Sequence, residues 1–124
     1  DQKLCSPMDV CVVPGIELLI VAMAGSNQLW KMAMDRMDER LVSFSGNGSE
    51  RRLDSSSAAR AEWAQPSSVV VSSSSDGEER RELLVADTES NSIRSVCLDH
   101  SNFPTRTIAG GDPLFPDNLF AFGD

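Results

Sequence analysis

The chain has little of what catalytic, membrane-bound or nucleic-acid-binding proteins depend on. It carries one histidine, three cysteines and eleven lysines and arginines against nineteen acidic residues. The resulting net charge of −8 makes a phosphate backbone a poor partner, because that contact rests on Lys and Arg. An anionic bilayer surface is disfavoured for the same reason. The longest apolar run, residues 16–24, is broken by Glu17 and falls far short of the roughly 20 residues that cross a bilayer. No basic segment, apolar segment and cleavage site open the chain, so no targeting signal is visible. Cys5, Cys11 and Cys97 make an odd count without a C-x-x-C. Neither a disulfide framework nor a zinc site follows. They are expected to be packed, inert thiols with no structural bond among them.

What is present is an ordinary globular composition, 40% hydrophobic over 124 residues, enough for one modest folded unit. The sequence opens on Asp1 and stops at Phe122-Gly123-Asp124, and so reads as a piece of something longer.

An internal repeat decides the fold class. Val21-Ala22-Met23-Ala24-Gly25-Ser26-Asn27-Gln28-Leu29-Trp30-Lys31-Met32 lies over Val85-Ala86-Asp87-Thr88-Glu89-Ser90-Asn91-Ser92-Ile93-Arg94-Ser95-Val96, 64 positions later. Phe44-Ser45-Gly46 falls on Ile108-Ala109-Gly110 at the same offset, while Ser6-Pro7 and Val10 match Gln65-Pro66 and Val69 at an offset of 59. The difference is absorbed around Ser73-Ser74-Ser75-Asp76-Gly77, a loop, where length changes are tolerated. Each copy reads as four short strands. They are expected at 9–13, 18–23, 28–34 and 41–45, then at 68–72, 82–87, 92–98 and 106–109. Pro14-Gly15, Gly25-Ser26-Asn27 and Glu89-Ser90-Asn91 supply turn chemistry. The apolar runs 18–22 and 83–86 suit strands covered on both faces. The fold class is therefore all-β: a partial β-propeller of about two four-stranded antiparallel blades.

One segment pulls the other way. Residues 28–41 place Leu29, Ala33, Met37 and Leu41 at helical spacing among strong helix formers. Its repeat partner at 92–98 reads as strand, so strand is expected at 28–34. A short helical turn is expected at 58–64, capped by Ser57 and stopped by Pro66.

The repeat resembles the NHL family. Leu83-Leu84-Val85-Ala86-Asp87-Thr88-Glu89-Ser90-Asn91-Ser92-Ile93-Arg94 is similar to that family's "VAD…N…IR" core, and Ala64-Gln65-Pro66-Ser67-Ser68-Val69 to its blade-opening "QPSG" segment, with Ser68 in place of the usual glycine. The first copy departs at Met23, where the family prefers Asp. Val21-Ala22-Met23-Ala24-Gly25, Phe44-Ser45-Gly46-Asn47-Gly48, Gly110-Gly111-Asp112 and Asn118-Leu119-Phe120-Ala121-Phe122-Gly123-Asp124 together resemble one subfamily. Its members join a thioredoxin-like domain to an NHL propeller, in an animal NHL-repeat-containing protein 2 type and a plant chloroplast suppressor-of-quenching type. The resemblance implies a thioredoxin-like domain elsewhere in the parent. It implies protein partners and neighbouring domains as contacts. It also implies a part in chloroplast photoprotection, on the thylakoid lumen side, for a plant or algal bearer, and a cytosolic location for an animal one. The expected organisation is the end of a preceding connection at 1–5, a first blade at 6–46, a connection at 47–64, a second blade at 65–110 and the start of a further connection at 111–124.

No catalytic, cofactor-binding or metal-binding residue is assigned. His100, beside Asp99 and ahead of Pro104, reads as loop filler, since a lone histidine lacks the partners of a triad or zinc site. Asp76, Glu78, Glu79 and Glu82 beside Arg80 and Arg81 read as a solvated loop. Asp112, Asp117 and Asp124 do not match an EF-hand spacing. Gly46-Asn47-Gly48 and Gly110-Gly111 lack the Lys-Ser or Lys-Thr of a phosphate loop and read as turn glycines. Asp87 and Arg94 could face each other across a hairpin, or Asp87 could accept turn amides at Asn91; structural capping of the turn is expected rather than partner contact. Trp30 and Trp63 could anchor a partner, but inter-blade core is expected.

Three functions compete. A non-catalytic binding or scaffold module serving a thiol–disulfide protein fits best. A propeller enzyme, hydrolase or lyase, would need His or carboxylate clusters at blade-matched positions, and the strands hold no histidine. An RNA-binding propeller would need a basic face.

Overall fold

The computed structural model describes residues 3–36, 40–73, 80–112, 114–115 and 119. Eight strands fall into two four-stranded antiparallel sheets. The first holds β1 (Pro7–Val13), β2 (Leu18–Met23), β3 (Gln28–Ala33) and β4 (Val42–Ser45); the second holds β5 (Pro66–Ser73), β6 (Arg81–Asp87), β7 (Ser92–Cys97) and β8 (Thr105–Gly110). Each sheet runs in simple sequence order, the up-and-down layout of a propeller blade. Among the described residues there is no α-helix, only short 3-10 turns. At 28–33 the strand wins over the helical spacing, because β2 pairs with β3 from Leu18↔Ala33 to Met23↔Gln28. Met37, the third residue of that helical pattern, lies outside the described residues.

The repeat is exact in geometry where it is loose in sequence. Asn27 and Asn91 both close the β2–β3 and β6–β7 turns in the left-handed conformation, with φ of 53° in each. Asn tolerates that region better than most residues. Gly46 and Gly110, at φ of 98° and 79°, lie against the carbonyl oxygens of Asn27 and Asn91, so that a Cβ at Gly46 would stand 2.6 Å from Asn27 O. Both blades also carry a register shift at the same place, between Leu29 and Trp30 and between Ile93 and Arg94.

The two sheets pack face to face. Val13, Ile20, Ala22 and Leu29 of the first meet Val69, Leu83, Val85 and Val96 of the second, with Trp63 of the connection between them. β2 is buried at four successive positions, Ile20 to Met23, as its apolar run anticipates. β6 is not: Leu83, Val85 and Asp87 are buried while Leu84 and Ala86 are half-buried. Its second face looks away from the first blade, so the expectation of cover on both sides fails there.

The expected helical turn at 58–64 shrinks to the 3-10 turn Ala58–Arg60. Ser57 supplies no side-chain cap, and Ala61 is already extended at ψ of 151°. Glu62 and Trp63 instead form bridges with Leu53 and Glu50. Those backbone hydrogen bonds outcompete a helix too short to be stable by itself. Pro66 begins β5 rather than ending a helix.

Candidate functional site

The chemistry-bearing residues converge where the second blade meets the inter-blade connection. Val85 is the cross-strand partner of Arg94, so the Arg94 side chain emerges on the face turned toward the first blade, next to Asp87 at the end of β6. Both side chains are fully buried, and Arg94 Nη1 stands 3.0 Å from Asp87 Oδ2. Arg94 also donates to Glu62 O at 2.6 Å, to Leu53 O at 2.8 Å and to Asp54 Oδ1 at 3.2 Å. Its guanidinium lies 4.2 Å from the Trp63 ring centroid, a cation–π contact in a dry site.

Asp87 is equally occupied. Oδ1 accepts the Ala64 N–H at 2.8 Å and Oδ2 accepts the Ser90 hydroxyl at 2.8 Å. Burial pushes its carboxyl above the usual range, while Arg94 and these donors pull the other way. Of the two arrangements the hairpin allowed, the facing pair is present, and the expected capping of the turn is not: Asp87 makes no side-chain bond to the turn amides. The Asn91 amide, the other donor considered, goes to Thr88 O instead. A tight 3-10 turn satisfies its own amides, which leaves Asp87 free to reach the connection.

Trp63 is fully buried in the inter-blade core and donates Nε1–H to Ser45 Oγ at 2.8 Å. Trp30 differs from the expectation. It pairs with Val21 on the opposite face of the first blade from Leu29, is half-buried there, and donates to Gln28 Oε1 at 3.0 Å. Strand alternation puts it on the far side of the sheet from Trp63.

Asp54 was not legible from the sequence, because the connection that carries it has no repeat partner. It accepts the Thr107 N–H at 2.8 Å and the Thr107 hydroxyl at 2.9 Å besides Arg94. Arg52 reaches Thr107 Oγ1 at 3.1 Å and the Asp112 carbonyl. Glu62 accepts from Asn47 Nδ2 at 2.9 Å and pairs with Arg51 at 3.3 Å. The connection is thus stitched to β7 and β8 by charge-assisted hydrogen bonds.

The remaining candidates lie apart from this cluster. His100 Nδ1 accepts the Asn102 N–H at 3.1 Å in an exposed turn. Arg81 and Glu82 belong to β6 rather than to a solvated loop. Arg81 pairs with Asp99 at 2.9 Å and reaches Pro14 O at 2.7 Å, and Glu82 pairs with Arg106 at 3.2 Å. Asp76, Glu78, Glu79, Asp117 and Asp124 lie outside the described residues. Asp112 accepts the Leu114 and Phe115 amides at 2.9 and 3.0 Å. Cys5, expected to be packed, is exposed, because it lies ahead of β1 on the entry to the first blade, whereas Cys11 and Cys97 are half-buried as expected. Burial, helped by Asp9, pushes the Cys11 thiol up, away from the reactive thiolate. β1, which carries Cys11, is an edge strand of its sheet.

No protein-family model matches the chain. It is 44% identical over 123 residues, 99% of its length, to Protein SUPPRESSOR OF QUENCHING 1, chloroplastic, of Arabidopsis thaliana, and covers 11% of that protein. It is 32% identical to NHL repeat-containing protein 2 of Bos taurus and 31% identical to that of Homo sapiens, covering 18% of each. The chain therefore spans under one fifth of the curated relatives it matches. Across nearly all of its own length, this chain is a homologue of one segment of the plant SUPPRESSOR OF QUENCHING 1 and animal NHL repeat-containing protein 2 family.

Proposed function

We propose that this chain is a non-catalytic binding and scaffold segment of a longer NHL-repeat protein whose thiol–disulfide chemistry resides in another domain. The observation that carries this reading is the occupancy of its buried charges. Asp87 and Arg94 are each tied to the backbone of the connection, at Ala64, Glu62 and Leu53, and both side chains are fully buried, out of reach of a substrate even though Arg94 Nε itself has no partner among the described residues. A propeller enzyme would repeat its acid or base from blade to blade, yet the positions matching Asp87 and Arg94 in the first blade are Met23 and Trp30. An RNA-binding role is opposed by the charge of −8.

The blades are proposed to comprise residues 6–46 and 65–110, joined by 47–64. The segment's contribution is shape and surface for protein partners and neighbouring domains. By similarity to the plant relative, whose name places it in the chloroplast and ties it to quenching, a plant or algal bearer would use this surface in chloroplast photoprotection. An animal bearer would use it in the cytosol.

The test compares insulin-disulfide reduction by the parent, by the parent lacking these residues, and by this chain alone. The reading expects reduction by the first two and none by the third. It also expects the shortened parent to lose activity on its physiological target. Reductase activity in this chain alone would overturn it, since a resolving thiol must lie next to the attacking one.

A further inference from the structure

We propose that Asn47-Gly48, at the start of the connection between the blades, is a self-modifying site: it deamidates in the folded protein and so loosens the connection's hold on the second blade. The reaction needs only water. The Gly48 nitrogen attacks Asn47 Cγ and gives up its proton to solvent. The Cγ–Nδ2 bond then breaks and ammonia leaves, which closes a succinimide ring. Water opens that ring at either carbonyl and leaves an aspartate, or an isoaspartate whose backbone runs through the former side chain.

The structure sets up the reacting atoms. Of the five asparagines in the sequence, Asn47 alone precedes a glycine; the others precede Gln28, Ser92, Phe103 and Leu119, whose side chains hinder the approach. Asn47 and Gly48 are exposed and lie past the end of β4. A Cβ at Gly48 would meet only Ser26 O, at 3.9 Å, so the nitrogen is not crowded. Among the described residues the Gly48 N–H has no hydrogen-bond partner, which leaves the nucleophile outside the backbone network. Asn47 Oδ1 accepts the Ser49 N–H at 2.9 Å. Such a turn folds the side chain back over its own main chain. It also supplies a donor to the oxygen on which negative charge develops during attack. At the matching place in the second blade stand Gly111 and Asp112, so the reactive pair belongs to the first exit.

The product is poorly matched to its surroundings. Asn47 Nδ2 donates to Glu62 Oε1 at 2.9 Å, and Glu62 is buried, with Oε2 paired to Arg51 at 3.3 Å. Deamidation removes that donor and sets a second carboxylate against the first, a like-charge contact that disfavours both ionised groups. The disturbance reaches the second blade, because Glu62 O accepts from Arg94 Nη1 at 2.6 Å. An isoaspartate adds a backbone atom between two anchored points. On one side the Gly46 N–H donates to Ala58 O at 3.0 Å, and on the other Gly48 O accepts from Asn27 Nδ2 at 3.2 Å.

Peptide mapping of the folded 124-residue chain, aged at mildly alkaline pH, tests the proposal. Tryptic cleavage after Arg40 and Arg51 frees residues 41–51, which hold one asparagine and no aspartate, so conversion there is read apart from Asp76-Gly77. The expected result is aspartate and isoaspartate at position 47, with ammonia released in equal amount and a rate that rises with pH as the Gly48 N–H gives up its proton. The free peptide of residues 41–51 is the reference. Asn47→Asp should lower the urea midpoint, and Glu62→Gln should cost less in that background than in wild type. A folded chain slower than the free peptide by more than about a hundredfold, the scale of a misplaced attack, overturns the proposal. So does an Asn47→Asp chain that unfolds at the wild-type urea concentration, or a Glu62→Gln loss that is the same in both backgrounds.

Discussion

Met23 and Asp87 occupy the same place in the two blades, and each accepts the backbone N–H that leads into its own blade. Met23 Sδ takes the Cys5 N–H at 3.4 Å, and Asp87 Oδ1 takes the Ala64 N–H at 2.8 Å. The surrounding backbone repeats as well: the Gly25 N–H goes to Cys5 O, and the Glu89 N–H to Ala64 O. A soft sulfur acceptor thus stands where the second blade uses a carboxylate. The first blade has Trp30 where the second has Arg94, so a carboxylate at Met23 would lack its cation. A weak acceptor without charge is the stable choice in a buried site that offers no counter-ion.

Met23→Asp should therefore destabilise the chain by several kcal/mol, because it buries a charge without a partner, a change on the order of 3–5 kcal/mol. Adding Trp30→Arg should recover part of that loss. Urea unfolding of the two single variants and the double variant reads this directly, and a double variant worse than the sum of the singles would show that the two sites are not equivalent.

Trp63 joins both blades, so Trp63→Ala should cost about 3–5 kcal/mol, as for a fully buried large side chain. Trp63→Phe keeps a ring but leaves Ser45 Oγ without its donor, which should cost about 1–2 kcal/mol. Thermal unfolding of both variants ranks the two contributions.

Asp9 sets a pH dependence. It accepts the Val69 N–H at 2.9 Å across the blade junction and the Val10 N–H at 2.9 Å, and these hold its carboxyl below the usual range. The unfolded chain binds that proton more tightly than the native state, so the contribution is complete above roughly pH 4 and is lost as pH falls through the depressed native value. Asp99, held down by the Arg81 N–H, works in the same direction, and Asp87, held up by burial, works in the opposite one. Neither is touched by Asp9→Asn. Stability measured from pH 5 to pH 2 should therefore fall less steeply in Asp9→Asn than in wild type, and parallel curves would remove Asp9 from the account.

Much of the fold was legible because the repeat constrains what local propensity leaves ambiguous. Residues 28–33 read as helix alone and as strand once laid over 92–97, and pairing with β2 settled the matter through ladder hydrogen bonds that a lone helix cannot match. The facing of Asp87 and Arg94 was one of two arrangements that hairpin geometry allowed. Their grip on Ala64, Glu62 and Leu53 was not legible, because a connection without a repeat partner carries no periodicity to read. Trp30 and Trp63 look alike as residues, yet only the second sits where two blades meet. Strand alternation, not aromatic character, separates them.

The central claim is that the buried charge of this segment fastens the second blade to its connection. A double-mutant cycle on Asp87→Ala and Arg94→Met, followed by urea unfolding, tests it most directly. Asp87→Ala should cost about 3–5 kcal/mol because it strands the buried guanidinium. The double variant should be less destabilised than the sum of the singles by about 1–3 kcal/mol. Single variants that unfold within about 0.5 kcal/mol of wild type, while a partner or substrate of the parent no longer engages them, would contradict the claim and return the pair to a functional role.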